Sequence, residues 1–224
     1  MSSQKKRVKL SGVGSGFTIN SNRSRLRSYP GGPLDKTRER QLRADARQNY
    51  DRLVTVAAQT FARDGAQASL KAIAAEAGVG IGTLYRHFPT REALVEAVYR
   101  TETQRLCEAA PELLRDLAPV PALRAWTARF LDYMATKDGM ADVLHAVLTA
   151  DEGLRMDTRI RLKEAVALLL DAGRRAGELR ADLDADDVFL ALGGFALVLD
   201  KQPDAPDLAS RLLNLLLEGL SSRG

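Results

Sequence analysis

The sequence predicts an all-α protein of nine helices, and three observations indicate that class. Aromatic residues make up only 5% of the 224, and the composition is dominated by residues that are common in helices. From about Arg43 onward, apolar residues recur at the spacing of a helical face. No segment shows the convincing alternation of apolar and polar residues that is typical of a half-buried strand.

The predicted helices of the N-terminal half can be placed by their end signals. The first begins near Arg43 and ends at Gly65. The second has Ser69 as its N-cap and stops at Gly78, and a third, short helix follows. Thr90 is the predicted N-cap of a fourth helix, which leads away from this region to about Ala109.

Five more helices are predicted after the prolines at 111, 119 and 121, where the character of the sequence changes. Gly177 is the predicted end of the long seventh helix, and Asp184 is the predicted N-cap of the eighth. The segments that contain these five helices are residues 122–139, 140–150, 151–179, 184–200 and 205–220.

The basic residues are concentrated at the N-terminus. Residues 1–48 contain 12 Lys or Arg and 3 Asp or Glu, a net charge of +9, whereas the remainder nets −5, which gives +4 overall. Residues 1–40 are rich in Ser, Gly and Arg, and we expect them to form a disordered basic arm. Arg23, Arg25 and Arg27 could follow a minor groove of DNA, although a tail without a role explains the same residues.

Several classes of protein are disfavoured by what the sequence lacks. The single Cys107 rules out an internal disulfide and a multi-cysteine zinc site. No apolar run is long enough to cross a bilayer, and no hydrophobic segment follows the basic N-terminus. We therefore expect a cytoplasmic protein with no membrane association.

Residues 69–88 have the pattern of two helices joined by a tight turn. Gly78 permits the positive φ that a sharp interhelical turn needs, and Ala74 is small enough for the helices to approach closely. The pattern predicts a helix-turn-helix, whose second helix enters a major groove of DNA. The residues predicted to point into its core are Ile73, Ala77, Val79, Leu84 and Phe88.

The second of these helices concentrates polar side chains that a core does not require. Arg86 can donate two hydrogen bonds to a guanine, and Tyr85 and His87 offer further donors and acceptors. Side chains next to the helix are suited to phosphate contacts. The predicted DNA-contacting residues are Lys71, Gly82, Thr83, Tyr85, Arg86, His87 and Arg91.

The stretch "SLKAIAAEAGVGIGTLYRHFPTREALVEAV" resembles the DNA-binding domain of the tetracycline-repressor (TetR) family of bacterial regulators. The resemblance extends over residues of about 44–100 and implies DNA contacts by Thr83, Tyr85 and His87, with Lys71 and Arg91 at the backbone. Gly80 stands where many members have Ser, which removes an N-cap hydroxyl. Ile81 stands at or beside a common Lys, so it either touches a thymine methyl or packs.

Residues beyond 100 resemble the C-terminal regulatory domain of SbtR-like members of that family, through "ADVLHAV" and "GELRADLDADDVFLALGGF". The resemblance implies an all-helical domain that binds an effector and dimerises. The predicted organisation is a basic arm over residues 1–40, a three-helix helix-turn-helix domain over 41–100 and an effector-binding and dimerisation domain over 101–224.

The last two helices predict a homodimer. Leucines of the final helix occupy an arc of roughly 200°, about twice an ordinary core-facing stripe, so a second surface must cover them. Paired recognition helices about one turn of DNA apart would then read a palindrome. The predicted interface consists of Val188, Leu192, Phe195, Leu199, Leu208, Leu212, Leu215 and Leu216.

An apolar effector pocket is expected between the DNA-binding and dimerisation parts, with Tyr133 or His145 as its polar group. An aromatic stripe at helical spacing is more often core, and for each single residue the core is the better interpretation. The candidate pocket residues are Trp126, Phe130, Tyr133, Met134, His145 and Leu148.

The function predicted from the sequence is that of a sequence-specific DNA-binding transcriptional regulator, a repressor released from its operator by a small molecule. A transcriptional activator or an architectural DNA-binding protein are the alternatives. An enzyme is least expected, because the chain contains only two histidines and lacks the GxSxG and HExxH motifs and a phosphate-binding glycine loop. No cofactor and no metal site are predicted.

Overall fold

A computed structural model of the chain describes residues 33–200 and 207–222. Within those ranges it contains nine α-helices, one 3-10 turn and no strand, apart from an isolated bridge between Leu179 and Ser221. The helices are α1 (Pro33–Asp64), α2 (Leu70–Glu76), α3 (Ile81–His87), α4 (Arg91–Asp116), α5 (Pro119–Gly139), α6 (Ala141–Ala150), α7 (Glu152–Arg175), α8 (Ala185–Asp200) and α9 (Leu208–Leu220). The predicted fold class is confirmed.

Helix α1 begins at Pro33, ten residues before the predicted start at Arg43. Residues 33–40 are therefore helical, and the expected disorder of residues 1–40 is wrong for this part. Proline fits the first turn of a helix, and no further glycine or proline interrupts the sequence before Gly65. The expected arm contacts by Arg23, Arg25 and Arg27 lie outside the described residues.

The predicted helix caps are present. The hydroxyl of Ser69 accepts a hydrogen bond from the backbone N–H of Ala72 at 3.1 Å, and the hydroxyl of Thr90 accepts one from Ala93 at 3.2 Å. The carboxylate of Asp184 accepts one from the N–H of Asp186 at 2.7 Å. Each side chain satisfies an N–H group that has no partner inside its helix.

Helix α4 continues past Pro111 to Asp116, so the predicted end near Ala109 is wrong. A proline inside a helix removes one hydrogen bond and strains the preceding turn, but tertiary packing can outweigh that loss. Leu113 and Leu114 pack against the core after the proline. Pro119 and Pro121 lie in the first turn of α5, where the missing N–H groups would have no helical partner.

The core of residues 41–222 is continuous and centres on α4. This helix packs on α5, α6 and α7, and α8 and α9 lie against α5 and α7 or each other. Trp126, Phe130 and Leu169 are among the fully buried side chains. The predicted domain boundary at residue 100 falls inside α4, which therefore belongs to both predicted domains.

Candidate nucleic-acid interface and cavity

The turn between α2 and α3 has the geometry of a helix-turn-helix. Gly78 adopts a φ of 67°, and the N–H of Val79 returns to the carbonyl of Ala74 at 3.0 Å. Gly80 is the N-cap of α3 and has no side chain to cap it. The N-terminus of α3 is therefore held by backbone hydrogen bonds and by packing. Ile73, Leu84 and Phe88 are buried and fix the angle between the two helices.

The opposite side of α3 faces solvent with polar side chains. Tyr85 is 49% exposed, and Arg86 and Gly82 are also exposed. Thr83 and His87 are half-buried at the edges of this side, and Lys71 is exposed on α2. We call the set Lys71, Gly82, Thr83, Tyr85, Arg86 and His87 the recognition surface.

Two further residues belong to the surroundings of the recognition surface. Tyr50 of α1 places its ring 6.1 Å from the ring of His87 and 5.0 Å from that of Phe88. Ile81 is 41% exposed, so its side chain is largely free to touch a ligand. Tyr50 was not predicted to be part of this region, because nothing in the local sequence pattern relates residues 50 and 87.

Arg91 was predicted to contact a phosphate, which requires an outward-facing side chain, but its side chain faces the protein. Its guanidinium donates a hydrogen bond to the carbonyl of Ala68 and lies 5.2 Å from the centre of the Phe61 ring. One of its nitrogens is buried without a hydrogen-bond partner. This geometry favours a positioning role, in which Arg91 joins the start of α4 to α1 and to the segment before α2.

A cavity of about 550 Å³ opens between α4, α5, α6, α7 and α8. Such a volume is in the range of small-molecule sites. Four of the six candidate pocket residues line it, namely Phe130, Tyr133, Met134 and Leu148. The lining residues that were not predicted include Tyr99, Lys137, Arg155, Thr158, Arg159, Leu162 and Phe189.

The other two candidates do not line this cavity. Trp126 is fully buried, and its indole N–H donates to the carbonyl of Leu106 at 2.9 Å. It touches the cavity wall indirectly, because its ring stacks on that of Phe130 at 5.7 Å. His145 is exposed at an adjoining, more polar depression, which shares Leu148 and Arg155 with the cavity.

The hydroxyl of Tyr133 is already engaged on the cavity wall. It is 3.2 Å from the hydroxyl of Thr103, and both side chains are buried. Burial raises the pKa of the Tyr133 hydroxyl well above its ordinary value, so this group stays neutral. It therefore contributes a hydrogen-bonding group to the cavity and no charge.

Helices α8 and α9 each keep an apolar outer face. Val188 and Leu192 are buried within the subunit, so the prediction that they meet a partner chain is wrong. The exposed apolar residues of α8 are instead Leu190, Leu197 and Val198. On α9, Leu215 is 64% exposed and Leu208 and Leu212 are half-buried, whereas Leu217 and Leu220 face the core.

The remaining predicted interface residues are neither fully buried nor fully exposed. Phe195, Leu199 and Leu216 are half-buried, and Leu216 packs against the core. Gly193 and Gly194 line the cavity, with no atom of the subunit near the place of a side chain.

Within the described ranges, no set of three or more His, Cys, Asp or Glu side chains is arranged to hold a metal ion. In the same part of the chain, no helix has the combined length and apolar character that crossing a bilayer requires.

A helix-turn-helix with an exposed polar second helix, joined to a helical domain with a cavity, defines a DNA-binding regulator. Two family models match the chain: bacterial regulatory proteins of the tetR family over residues 53–98, and the C-terminal domain of SbtR-like transcriptional regulators over residues 118–222. The chain belongs to the TetR family of bacterial transcriptional regulators.

Solved structures and a curated relative agree with this assignment. The TetR regulator SCO0520 of Streptomyces coelicolor is 48% identical, with a TM-score of 0.72 over 78% of this chain and 99% of that chain. A TetR regulator of Mycobacterium vanbaalenii is 32% identical, with a TM-score of 0.65 over 81% and 99% of the two chains. The repressor KstR2 of Rhodococcus jostii is 26% identical over 183 residues, 76% of this chain and 90% of its own.

Family membership confirms the predicted class of function. The chain is a DNA-binding transcriptional regulator and not an enzyme. Regulators of this family bind DNA and act as dimers with small-molecule effectors.

Proposed function

We propose that the chain is a cytoplasmic, homodimeric repressor that binds a palindromic operator and leaves it when a small molecule enters the cavity. The recognition surface is the observation that carries this proposal. One side of α3 is buried through Leu84, while Tyr85 and Arg86 on the other side are exposed. The repressor assignment is favoured by the name of the relative KstR2.

The recognition surface supplies different kinds of DNA contact. Arg86 has the donor geometry to bind the major-groove edge of a guanine, and Tyr85 and Thr83 supply hydroxyl groups. Lys71 on α2 is exposed and suited to a phosphate. The ring of His87 rests against Tyr50, which limits its motion and thereby favours a defined contact.

The outer faces of α8 and α9 are proposed to form the dimer interface. They present Leu190, Leu197, Val198 and Leu215 to solvent in the single subunit. Leu190 and Leu197 also line the cavity, and large exposed apolar side chains of this kind are typical of an interaction surface. A two-fold axis through it would present two recognition surfaces to one duplex.

Two connections can couple the cavity to the recognition surface. Helix α4 contributes Tyr99 to the cavity wall and begins at Arg91, which binds the carbonyl of Ala68 in the segment before α2. Lys137 lines the cavity two residues before Gly139, where α5 lies against the backbone of Phe61. A ligand that fits one arrangement of these helices better than another shifts the population between them.

Selection of bound fragments from random DNA, followed by footprinting, tests the proposal. We expect one recovered sequence with two-fold symmetry. Arg86→Ala should weaken binding to it by about 1–3 kcal/mol and relax the preference at one base pair of each half-site. Arg115→Ala is the matched control, because Arg115 is an exposed arginine at the far end of α4. An equal loss of operator affinity in both variants would contradict the proposal. So would a wild-type chain that binds unrelated duplexes as tightly as the selected sequence.

A further inference from the structure

We propose that the effector is an amphipathic organic anion, a carboxylate with an apolar tail, and that Lys137 and Arg159 bind its charged group. This inference rests on the proposed effector site and adds the charge of the ligand to it. The expectation from the sequence alone was an apolar effector.

The charged residues that line the cavity are all basic. Lys137 lies on α5, and Arg155 and Arg159 lie one turn apart on α7. No Asp or Glu is among the described residues that line the cavity.

Two of these three cations have no ion-pair partner among the described residues. Arg155 forms an ion pair with Glu152 at 2.7 Å on the solvent side. Lys137 and Arg159 take part in none of the ion pairs found among the described residues. They remain available to a ligand carboxylate, which accepts charge-assisted hydrogen bonds from such groups.

Most of the remaining cavity wall is apolar and suits a hydrocarbon tail. Phe130 and Phe189 form an edge-to-face pair with ring centres 6.0 Å apart, and Leu162 and Met134 extend this wall. The guanidinium of Arg159 lies 5.9 Å from the centre of the Phe189 ring. A positive charge and an apolar surface therefore lie side by side in the cavity, as the binding of an amphipathic ligand requires.

The neutral polar groups of the cavity provide no negative charge that would bind a cationic ligand. The hydroxyl of Tyr133 is paired with Thr103 and stays protonated, so it cannot act as a counter-anion. A positively charged ligand of the same shape would face Lys137 and Arg159, and no carboxylate is among the described residues that line the cavity. Charge complementarity thus selects the anion.

Binding of three ten-carbon probes to the full chain without DNA tests the inference. The probes are decanoate, decanol and decyltrimethylammonium, which differ in charge. The single Trp126 stacks on Phe130 of the cavity wall, so its fluorescence reports on occupancy. We expect decanoate to bind at least about tenfold more tightly than either other probe, and less tightly as ionic strength rises.

Variants separate the head-group contacts from the tail contacts. Lys137→Gln and Arg159→Gln should each weaken decanoate binding about fivefold and leave decanol binding within about twofold. Arg161→Gln is the matched control, because Arg161 lies two residues beyond Arg159 and pairs with Asp157 instead. Thermal melting of each variant checks that the fold is retained.

Equal binding of the three probes, tighter binding of the cation, or absence of decanoate binding would each overturn the inference. So would an equal loss of decanoate affinity in the Arg161 variant. None of these results bears on the proposed DNA binding, which is measured on the ligand-free protein with its selected operator.

Discussion

At the scale of single residues, local interactions were predictable and long-range ones were not. Ser69, Thr90 and Asp184 cap helices as predicted, because a cap contacts the backbone within three residues. Arg91 binds Ala68 and Phe61, which lie 23 and 30 positions away in the chain. No local pattern distinguishes such an arginine from one that faces a phosphate.

The turn of the helix-turn-helix gives a prediction at this scale. Gly78→Ala should lower the free energy of unfolding by about 1–2 kcal/mol, because a side chain at a φ of 67° is strained. Urea denaturation followed by circular dichroism measures the change.

Gly82→Ala is the matched control for the turn. Gly82 lies inside α3, and no atom is close to the place of its missing side chain. Alanine there should raise the free energy of unfolding by about 0.5–1 kcal/mol. A change of the same sign in both variants would contradict the geometry described for the turn.

At the scale of helices, the existence and order of all nine were predictable, but their faces and ends were predicted less well. The prediction for α8 failed at Val188 and Leu192, because α8 is apolar on most sides and a helical wheel cannot show which side meets the core. The prediction for α4 failed at Pro111, because packing of the following residues is a tertiary effect. The prediction of which side of α3 meets the core was correct, because the polar residues of this helix mark its solvent side.

The contact between α5 and α1 gives a prediction at this scale. A side-chain carbon at Gly139 would lie 1.9 Å from the carbonyl oxygen of Phe61, so the two helices must separate to admit it. Gly139→Ala should lower the free energy of unfolding by about 1–3 kcal/mol. It should also weaken operator binding, because the Phe61 ring contacts the guanidinium of Arg91, which binds the segment before α2 through the carbonyl of Ala68.

Gly193→Ala is the control for this contact. Gly193 also lies in a helix, but no atom of the subunit approaches the place of its side chain. Urea denaturation should show a free energy of unfolding at least equal to that of the unaltered chain. A loss of stability as large as that of Gly139→Ala would show that close approach to Phe61 is not the cause.

At the scale of the whole molecule, the account requires two recognition surfaces held together by the outer faces of α8 and α9. The sequence predicted this duplication from the wide leucine arc of the last helix. The core side of that arc is occupied by Leu217 and Leu220, and Leu215 lies on the other side. The cavity was predictable only in part, because its basic residues come from two helices and each resembles an ordinary solvated side chain.

Light scattering of the full chain, alone and on its selected operator, tests the central claim most directly. The account predicts a particle of about twice 24.4 kDa in solution and two chains per duplex. Leu215→Glu should give a folded monomer with weak operator binding, whereas Leu42→Glu, at a residue 60% exposed on α1, should remain a dimer. A wild-type monomer that protects a single half-site, or a Leu215→Glu variant that still dimerises and binds as before, would contradict the account.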